Sequence, residues 1–320
     1  MKTAAVATTS GAIEHYFGGR PRCRVVLEVS THSPWVSRQL EELGHEAVVA
    51  NASEVYGRVR RKRRNDKLDA EFLARQGRAD VELLHPIRHR SAEAQQDLAL
   101  LRARDQLVRV RSGLISHVRG AVKSLGGRIV KCSAEAFAKR AAGQLPETLR
   151  PVLTPLLELI ADLTKRIDGM DGQVEQIAQA HPEALRLQQI RGVGPLTAVA
   201  YVRAVEDPHR FRHSRQAGAF FGLVPKLDES SGSCPQLRIT KAGDPLVRRY
   251  LVSAARYILG PHAQDSDLRR YGEAIAARGG NNAKKRAAIA VARKLAVLLH
   301  RLWVSNAAYE ADWSQKQRAA

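Results

Sequence analysis

The sequence has few cysteines, few aromatic residues and no long apolar run. Its three cysteines, Cys23, Cys132 and Cys234, lie far apart and form no CxxC pair or Cys/His cluster. This spacing argues against a disulfide scaffold or a zinc finger and fits a reducing cytosol. No apolar stretch approaches the roughly 18 residues that a bilayer-spanning helix needs. The start, MKTAAVATTSG, lacks the apolar core of a signal peptide. We therefore expect no membrane partner.

Acidic residues are also scarce relative to basic ones. The chain of 320 residues has 52 Lys and Arg against 32 Asp and Glu, which gives a net charge of +20 and a pI near 10.5. A surplus of this size indicates a polyanionic partner, and nucleic acid is the first candidate. The aromatic content of 5% argues weakly against a protein that reads single strands mainly by stacking. The 44% of hydrophobic residues suffices for packed cores, and the length suggests about two domains.

The first 90 residues carry the pattern of a βαβ unit. The apolar run CRVVLEVS (23–30) predicts a buried strand. Ser33 is predicted to cap the helix that follows, with Pro34 at its first position. HEAVVA (45–50) predicts a second strand after that helix, so a parallel or mixed sheet is expected. VELLH (81–85) predicts a third, short strand.

Three acids in this region are candidate metal ligands. Glu28 lies within an apolar strand, where a carboxylate is costly unless it is paired, binds a metal, or sits at the strand end in solvent. Asp66 and Asp69 are three residues apart and share one helical face, an arrangement suited to Mg²⁺. Alternatively, Asp66 caps the helix and Asp69 is its first-turn partner. A basic run directly before these aspartates would bring nucleic-acid phosphates close to them. Its basic residues are Arg58, Arg60, Arg61, Lys62, Arg63 and Arg64.

The middle of the chain predicts two long helices. Apolar residues recur at three- and four-residue steps over 91–125. A second series, from Leu156 to Ile177, alternates steps of four and three, which is the seam of a coiled coil. The seam is compatible with an antiparallel helix pair within one chain and equally with dimerisation.

The last third contains two motifs that are suited to nucleic acid. Gly192 and Gly194 lie between two helical stretches in a pattern typical of a helix-hairpin-helix turn, which binds a phosphate backbone. Ser230 and Ser231 lie in a turn-forming segment, and a serine there could attack a phosphodiester, with His209, His213 or His262 as a spatially close base. The alternative is an ordinary solvated loop. The nearby cations are Arg238, Lys241, Arg248 and Arg249.

Several segments, taken in order, resemble a known family. They are VVLEVSTHSPWVSRQLEELGHEAVVA, RNDKLDAEFLAR, IRGVGPLTAVA, DPHRFRHSRQAGAFFGLVP, SSG and RITKAGDPLVRRYLVSAAR. Together they resemble the DEDD-type transposases of the insertion sequence one-ten family, relatives of the Piv and MooV DNA invertases. The resemblance runs from about residue 20 to 300.

The resemblance implies an α/β plus α architecture in three parts. These are an RNase H-like (RuvC-like) domain over 1–89, a coiled-coil arm over 90–180 and a mainly helical transposase domain with the hairpin over 181–320. It implies Mg²⁺ bound by Glu28, Asp66 and Asp69, and a nucleophilic serine at Ser231, with Ser230 as the alternative. It also implies DNA as substrate, a structured guide RNA, a homo-oligomer (dimer or tetramer) and a cytoplasmic, nucleoid-associated bacterial protein.

In one respect the sequence departs from this family. The family's first aspartate stands in an opening strand of the type GIDVSK, and the upstream acid here is Glu14, in GAIEHYF. We therefore expect an N-terminally incomplete RuvC-like domain with three acids instead of four. Three functions compete: a serine-dependent DNA recombinase, a catalytically decayed DNA- or RNA-binding protein, and a purely metal-dependent junction nuclease.

Overall fold

The computed structural model describes residues 3–51, 55, 65–227 and 237–312. The chain divides into two compact units, Met1–Ser91 and Ala92–Ala320. The first unit combines helices with a small parallel sheet, and the second is mainly helical. This agrees with the predicted α/β plus α class, while the three-part division at residues 89 and 180 stays a prediction.

The first unit is built on the predicted βαβ pattern. Its elements are α1 (Ser10–Phe17), β1 (Arg24–Glu28), α2 (Ser33–Glu42), β2 (Glu46–Ala50) and α3 (Asp66–Ala79). The strands pair in parallel, with Arg24 opposite Glu46 and Glu28 opposite Ala50. A parallel pair needs a crossover connection, and α2 supplies it.

Helices cover both faces of this sheet. Because successive strand residues point to opposite faces, Val25 and Leu27 join the α1–α2 cluster around Leu40, while Val26 joins the α3 cluster around Leu73. This explains why β1 is apolar at consecutive positions.

Two local predictions in this unit were wrong. Val81–Leu84 is a turn of 3₁₀ helix instead of a strand, because the Asp80 side chain accepts a hydrogen bond from the Glu82 amide at 2.9 Å and starts a helical turn. The residue that pairs with β2 lies further along the chain: Ile87 forms an isolated antiparallel bridge with Val49. Ser33 is the first residue of α2 and not its cap, and its Oγ accepts a hydrogen bond from the Ser30 amide.

The second unit contains the two long helices. Its elements are α4 (Ala92–Ser124), α5 (Phe137–Ala142), α6 (Arg150–Ala180), α7 (Pro182–Leu187), α8 (Pro195–Val205), α9 (Gln216–Phe220), α10 (Pro245–Ile258), α11 (Asp267–Ala276) and α12 (Ala283–Ser305). A 3₁₀ turn, Pro208–Arg210, precedes α9.

Helices α4 and α6 pack antiparallel within the chain. Arg104 pairs with Asp171. Seven residues further along α4, Arg111 donates to Thr164, which lies seven residues earlier on α6. The α6 seam residues Ile160, Ile167 and Val174 are buried. The seam is thus used in an intramolecular pair, the first of the two predicted alternatives.

Helix α8 forms the centre of the second unit's core. Its residues from Thr197 to Val205 are buried, and the Tyr201 hydroxyl donates to the Ala296 carbonyl of α12 at 2.7 Å. None of the helices in the described part of the chain combines the length and apolar character required to cross a bilayer.

Candidate functional site

The three candidate metal ligands lie in the first unit. Glu28 is the last residue of β1 and is exposed. Asp66 and Asp69 occupy the first turn of α3, where Asn65, and not Asp66, is the cap: its Oδ1 accepts a hydrogen bond from the Leu68 amide at 2.8 Å. Both aspartates therefore stand near the positive end of the helix dipole.

The packing of α3 against β1 fixes the end of the helix that is opposite to its two aspartates. The Arg24 guanidinium, at the start of β1, donates to the Gly77 carbonyl at 2.9 Å, and Gly77 packs on Val26 so closely that a Cβ would lie 2.5 Å from Val26 Cγ2. The last turn of α3 is therefore fixed near the start of β1. Its first turn, with the aspartates, lies at the other end of the helix.

The three carboxylates are not a preassembled cluster. In the described ranges, one trio of potential ligands has its donor atoms within 4.8 Å of one another, and it is Glu93, Asp97 and His181. The basic run Arg60, Arg61, Lys62, Arg63 and Arg64, predicted to bind nucleic acid, lies outside the described residues.

The trio in the second unit surrounds an arginine. Arg203 of α8 donates from Nε to Asp97 and from Nη2 to Glu93, each at 2.5 Å, and its Nη2 lies 2.7 Å from His181 Nε2. The Arg203 guanidinium lowers the pKa of Glu93. Because Arg203 already pairs with both carboxylates and contacts the histidine, we interpret the trio as a clasp that joins α4 and α8, with His181 beside it. Sequence reasoning missed it, although a cation inside the buried run LTAVAYVRAV requires acidic partners.

Replacing Arg203 with methionine should destabilise the second unit by about 3 kcal/mol, because Asp97 would lose its partner in a mostly buried site. Urea unfolding measures this. The control is Arg166→Met, which removes an exposed i,i+4 pair with Asp162 and should cost less than about 1 kcal/mol. Equal stabilities of the two variants would contradict the clasp.

The clasp should also depend on pH. Because folding lowers the pKa of Glu93, the contribution of Glu93 to the free energy of unfolding should be lost as the pH falls through that lowered value.

Ser230 and Ser231 lie outside the described residues, but the base of their loop is described. The chain on the two sides of the loop forms an antiparallel ladder: Thr240 N donates to Val224 O, and Lys226 N donates to Arg238 O, both at 2.9 Å. Pro225 and Ile239 form the bridge between these two bonds. The two ends of the serine segment are thus held side by side.

Two glycines make this base possible. Gly222 and Gly243 have φ of +65° and +70°, in the left-handed region that favours glycine. A Cβ on Gly243 would lie 2.0 Å from the Phe220 carbonyl oxygen, and one on Gly222 would lie 2.3 Å from the Ala242 amide nitrogen. The segments before and after the loop therefore cross in backbone contact.

Gly243→Ala should lower the stability of the second unit by about 3 kcal/mol, because it combines an unfavourable φ with a backbone clash. Thermal unfolding followed by circular dichroism measures the loss. The matched control is Gly172→Ala in α6, where a Cβ meets nothing within 4 Å and should stabilise the helix slightly. A Gly243→Ala protein as stable as the control would contradict the crossing.

The cations predicted around the serine loop fall into two groups. Arg248 donates to the Ala242 carbonyl at 2.7 Å, and Arg249 pairs with Asp105 at 2.9 Å, so both are engaged within the protein. Arg238 and Lys241 are exposed at the loop base. This exposed pair is therefore better placed to meet a nucleic-acid phosphate.

The predicted hairpin glycines occupy the turn between α7 and α8. Gly192 has φ +95°, and a Cβ there would lie 2.9 Å from Tyr257 Cδ1 on α10. Gly194 is the N-cap of α8, next to Pro195, and nothing lies within 4 Å of its Cβ position. One glycine thus permits internal packing, and the other leaves the helix N-terminus open.

Comparison with known proteins connects both units to one family. Residues 8–126 match the DEDD transposase domain of the IS110 type, described as "Transposase". Residues 184–272 match a second domain, described as "Transposase IS116/IS110/IS902 family". The first match includes all three candidate acids, and the second includes the hairpin and the serine loop.

Individual relatives agree with these two matches. The chain is 31% identical over 255 residues to the "Transposase for insertion sequence element IS1111A" of Coxiella burnetii, covering 77% of this chain and 68% of the relative. It is 28% identical over 305 residues to a "Probable family 20 transposase" of Pseudomonas aeruginosa, covering 93% and 88%. The "Transposase for insertion sequence element IS1328" of Yersinia enterocolitica is 29% identical over 241 residues, covering 74% and 71%. The chain therefore belongs to the IS116/IS110/IS902 family of transposases and carries its DEDD domain, which assigns it to DNA transposition.

Proposed function

We propose that this transposase cuts and rejoins DNA through a serine nucleophile, Ser231, with Ser230 as the alternative. The observation that carries this proposal is the base of the serine loop. Two backbone hydrogen bonds and the crossing at Gly222 and Gly243 hold the ends of the serine segment together beside exposed Arg238 and Lys241. This base fixes where the serine segment leaves and rejoins the described fold, next to two cations that can meet a phosphate.

The chemistry at this loop is a phosphoryl transfer. The serine Oγ attacks phosphorus and loses its proton to a base, a new O–P bond forms, and one bridging P–O bond of the strand breaks. The departing oxygen takes up a proton and leaves a free hydroxyl end. The reverse attack by a hydroxyl end rejoins the strand. Exposed arginine and lysine side chains stabilise the negative charge that develops on the phosphoryl oxygens.

The acidic site of the first unit assists this reaction. A DEDD domain suggests the use of a divalent metal, and Glu28, Asp66 and Asp69 supply the hard carboxylate oxygens that Mg²⁺ prefers. The residues fit the ion: Glu28 and Asp66 are exposed, and neither carboxylate has an ion-pair partner in the described part of the chain. Bound there, Mg²⁺ would polarise a phosphoryl oxygen and orient the strand. The parallel βαβ arrangement with an acid at the end of β1 supports a RuvC-like domain.

Nucleic-acid binding is distributed over several parts of the chain. The hairpin at Gly192 and Gly194 supports backbone binding by a helix-hairpin-helix, and the basic residues of the run 60–64 add positive charge for the same polyanion. The family resemblance implies a structured guide RNA as a further partner, and the net charge of +20 is compatible with a second polyanion. A homo-oligomer, dimer or tetramer, would bring the strands to be exchanged into one complex.

Trapping of a covalent protein–DNA adduct tests the proposed function. The full-length protein is incubated with Mg²⁺ and a suicide substrate, an insertion-sequence end with a nick that lets the cut fragment diffuse away. We expect an adduct that survives denaturing electrophoresis, with the DNA remnant on the peptide containing Ser230 and Ser231. Mg²⁺-dependent cleavage without an adduct would indicate a junction nuclease. Salt-sensitive binding without cleavage would indicate a decayed, binding-only transposase.

A further inference from the structure

A cavity of about 580 Å³ lies beside the hairpin turn. Helix α4 contributes Arg104 to its wall, the turn contributes Arg191 to Gly194, the first turn of α8 contributes Leu196 and Thr197, and α10 contributes Tyr250, Ser253 and Tyr257. Its volume falls within the range of pockets that hold small ligands or single nucleotides. The cavity lies wholly within the second unit.

The backbone side of the cavity is an open helix terminus. Gly194 caps α8, an 11-residue helix, and the space at its Cβ position is empty to 4 Å. Such a terminus carries partial positive charge, which favours an anion. Pro195 has no N–H and the Thr197 and Ala198 amides donate to the Gly194 carbonyl at 3.0 Å, so the Leu196 amide is the first-turn N–H that can meet the anion. Gly192 lets the turn pack directly on Tyr257, so the terminus and α10 are held at a fixed separation.

Two arginines give the cavity its charge. Arg191 is exposed and has no hydrogen-bond or ion-pair partner in the described ranges. Arg104 donates two hydrogen bonds to Asp171, at 2.7 and 2.9 Å, which fix the position of its guanidinium and compensate its charge. The positive charge that an anion would meet therefore comes mainly from Arg191.

A half-buried tyrosine lies beside Arg104 in the cavity wall. Burial raises the pKa of the Tyr250 hydroxyl, against the opposing effect of the nearby Arg104 charge. The same two groups interact, which raises the pKa of Arg104 together with the stronger effect of Asp171. Arg104 and Tyr250 thus form a polar wall of fixed position, and the groups left to contact a ligand are Arg191 and Tyr257.

The remaining wall presents an aromatic ring. Tyr257 is 49% exposed, an unusual state for a large ring that also packs on the hairpin glycine. An exposed ring next to a phosphate-binding terminus is the arrangement that stacks an unpaired base. Ser253, also exposed and one helical turn before it, offers a hydroxyl to the same ligand.

We propose that this cavity binds one phosphodiester of a nucleic-acid strand and that the adjacent unpaired base stacks on Tyr257. The phosphate is held by Arg191 and the α8 N-terminus. The proposal rests on the proposed function only in that the ligand is a nucleic acid, and it adds a preference for unpaired strands that a hairpin alone would not provide. Stacking reads no particular sequence, so the site positions a strand without selecting it.

Binding measurements with two variants test this site. The probes are fluorescein-labelled 20-nucleotide single-stranded DNA, the corresponding duplex and the corresponding RNA, and fluorescence anisotropy is followed over a range of NaCl concentrations. Tyr257→Leu should weaken binding of single strands about tenfold and binding of the duplex less than twofold. Arg191→Gln should weaken binding of all three probes. It should also make the plot of log affinity against log salt less steep, by the amount that corresponds to the loss of about one phosphate contact.

Two controls accompany these variants. Tyr271→Leu removes another partly exposed tyrosine, and Arg166→Gln removes another exposed arginine; both lie outside the cavity, and both should bind like the unmodified protein within twofold. The RNA arm shows whether the strand is DNA, RNA or either. If Tyr257→Leu destabilises α10, Arg191→Gln still tests the phosphate contact at the surface.

Each outcome decides the proposal. Unchanged binding by both cavity variants, in a protein that does bind, would overturn this site and leave the serine mechanism intact. Equal losses of single-strand and duplex binding in Tyr257→Leu would overturn the preference for an unpaired base. A protein that binds none of the probes would overturn the proposed function as well. A photocrosslink from 5-iodouracil in the single strand to the peptide containing Tyr257 would support the site directly.

Discussion

Ser231→Ala should abolish the covalent protein–DNA adduct and strand exchange while leaving DNA binding intact. The hydroxyl is the attacking group, and removing a catalytic nucleophile costs on the order of 10³-fold or more in rate. Binding should survive because the hairpin, the basic run and the loop-base cations are unchanged. The measurements are adduct yield on the suicide substrate and anisotropy of a labelled insertion-sequence end.

Neighbouring serines provide matched controls for this change. Ser233→Ala alters the same loop by the same chemistry and should retain adduct formation. Ser230→Ala distinguishes the two candidates, since one of the two single variants should lose the adduct and the other should keep it. Full strand exchange by the Ser230→Ala/Ser231→Ala double variant would exclude a serine of this motif as the nucleophile.

Asp66→Asn and Asp69→Asn should each reduce the rate of cleavage about 10³-fold. A bound metal contributes several kcal/mol of transition-state stabilisation, and each tenfold in rate corresponds to about 1.4 kcal/mol. An amide keeps the size of the side chain but loses the charge that holds the ion. The measurement is the initial rate of adduct formation as a function of Mg²⁺ concentration, and we expect raised Mg²⁺ to restore part of it.

The alternative role of these aspartates gives a different result. If they serve only to stabilise the start of α3, each variant should lose less than about 1 kcal/mol of stability and should cleave at the normal rate. Glu71→Gln is the matched control, because Glu71 lies on the same helix and pairs with Arg75 at 2.6 Å. Normal cleavage by both aspartate variants would refute the metal site.

Local sequence signals predicted most secondary structure in both units. The run RVVLE is apolar at consecutive positions, as expected for a strand covered on both faces, and it forms β1 as predicted. The periodicities over 91–125 and 156–177 correspond to α4 and α6. Such patterns succeed because they reflect backbone geometry and one-sided burial, which act over a few residues.

Predictions failed where competing local signals were similar in strength. VELLH has the apolar content of a strand, but the Asp80 cap starts a 3₁₀ turn there. Asp66 was a reasonable cap candidate, yet Asn65, one residue earlier, makes the capping hydrogen bond. In both cases a single side-chain hydrogen bond decided the outcome.

The sequence by itself determined the βαβ order, the two long helices, the glycine turn and the family to which the chain belongs. Tertiary structure alone decided which distant groups meet. Arg203 donates hydrogen bonds to Glu93 and Asp97, which lie more than 100 residues away in the sequence. The backbone at Gly243 packs against the backbone at Phe220. It also decided that Gly192, Tyr257 and Arg191 border one cavity. The physical reason is that a periodic pattern shows which face of a helix is buried, but it does not show which distant segment covers that face.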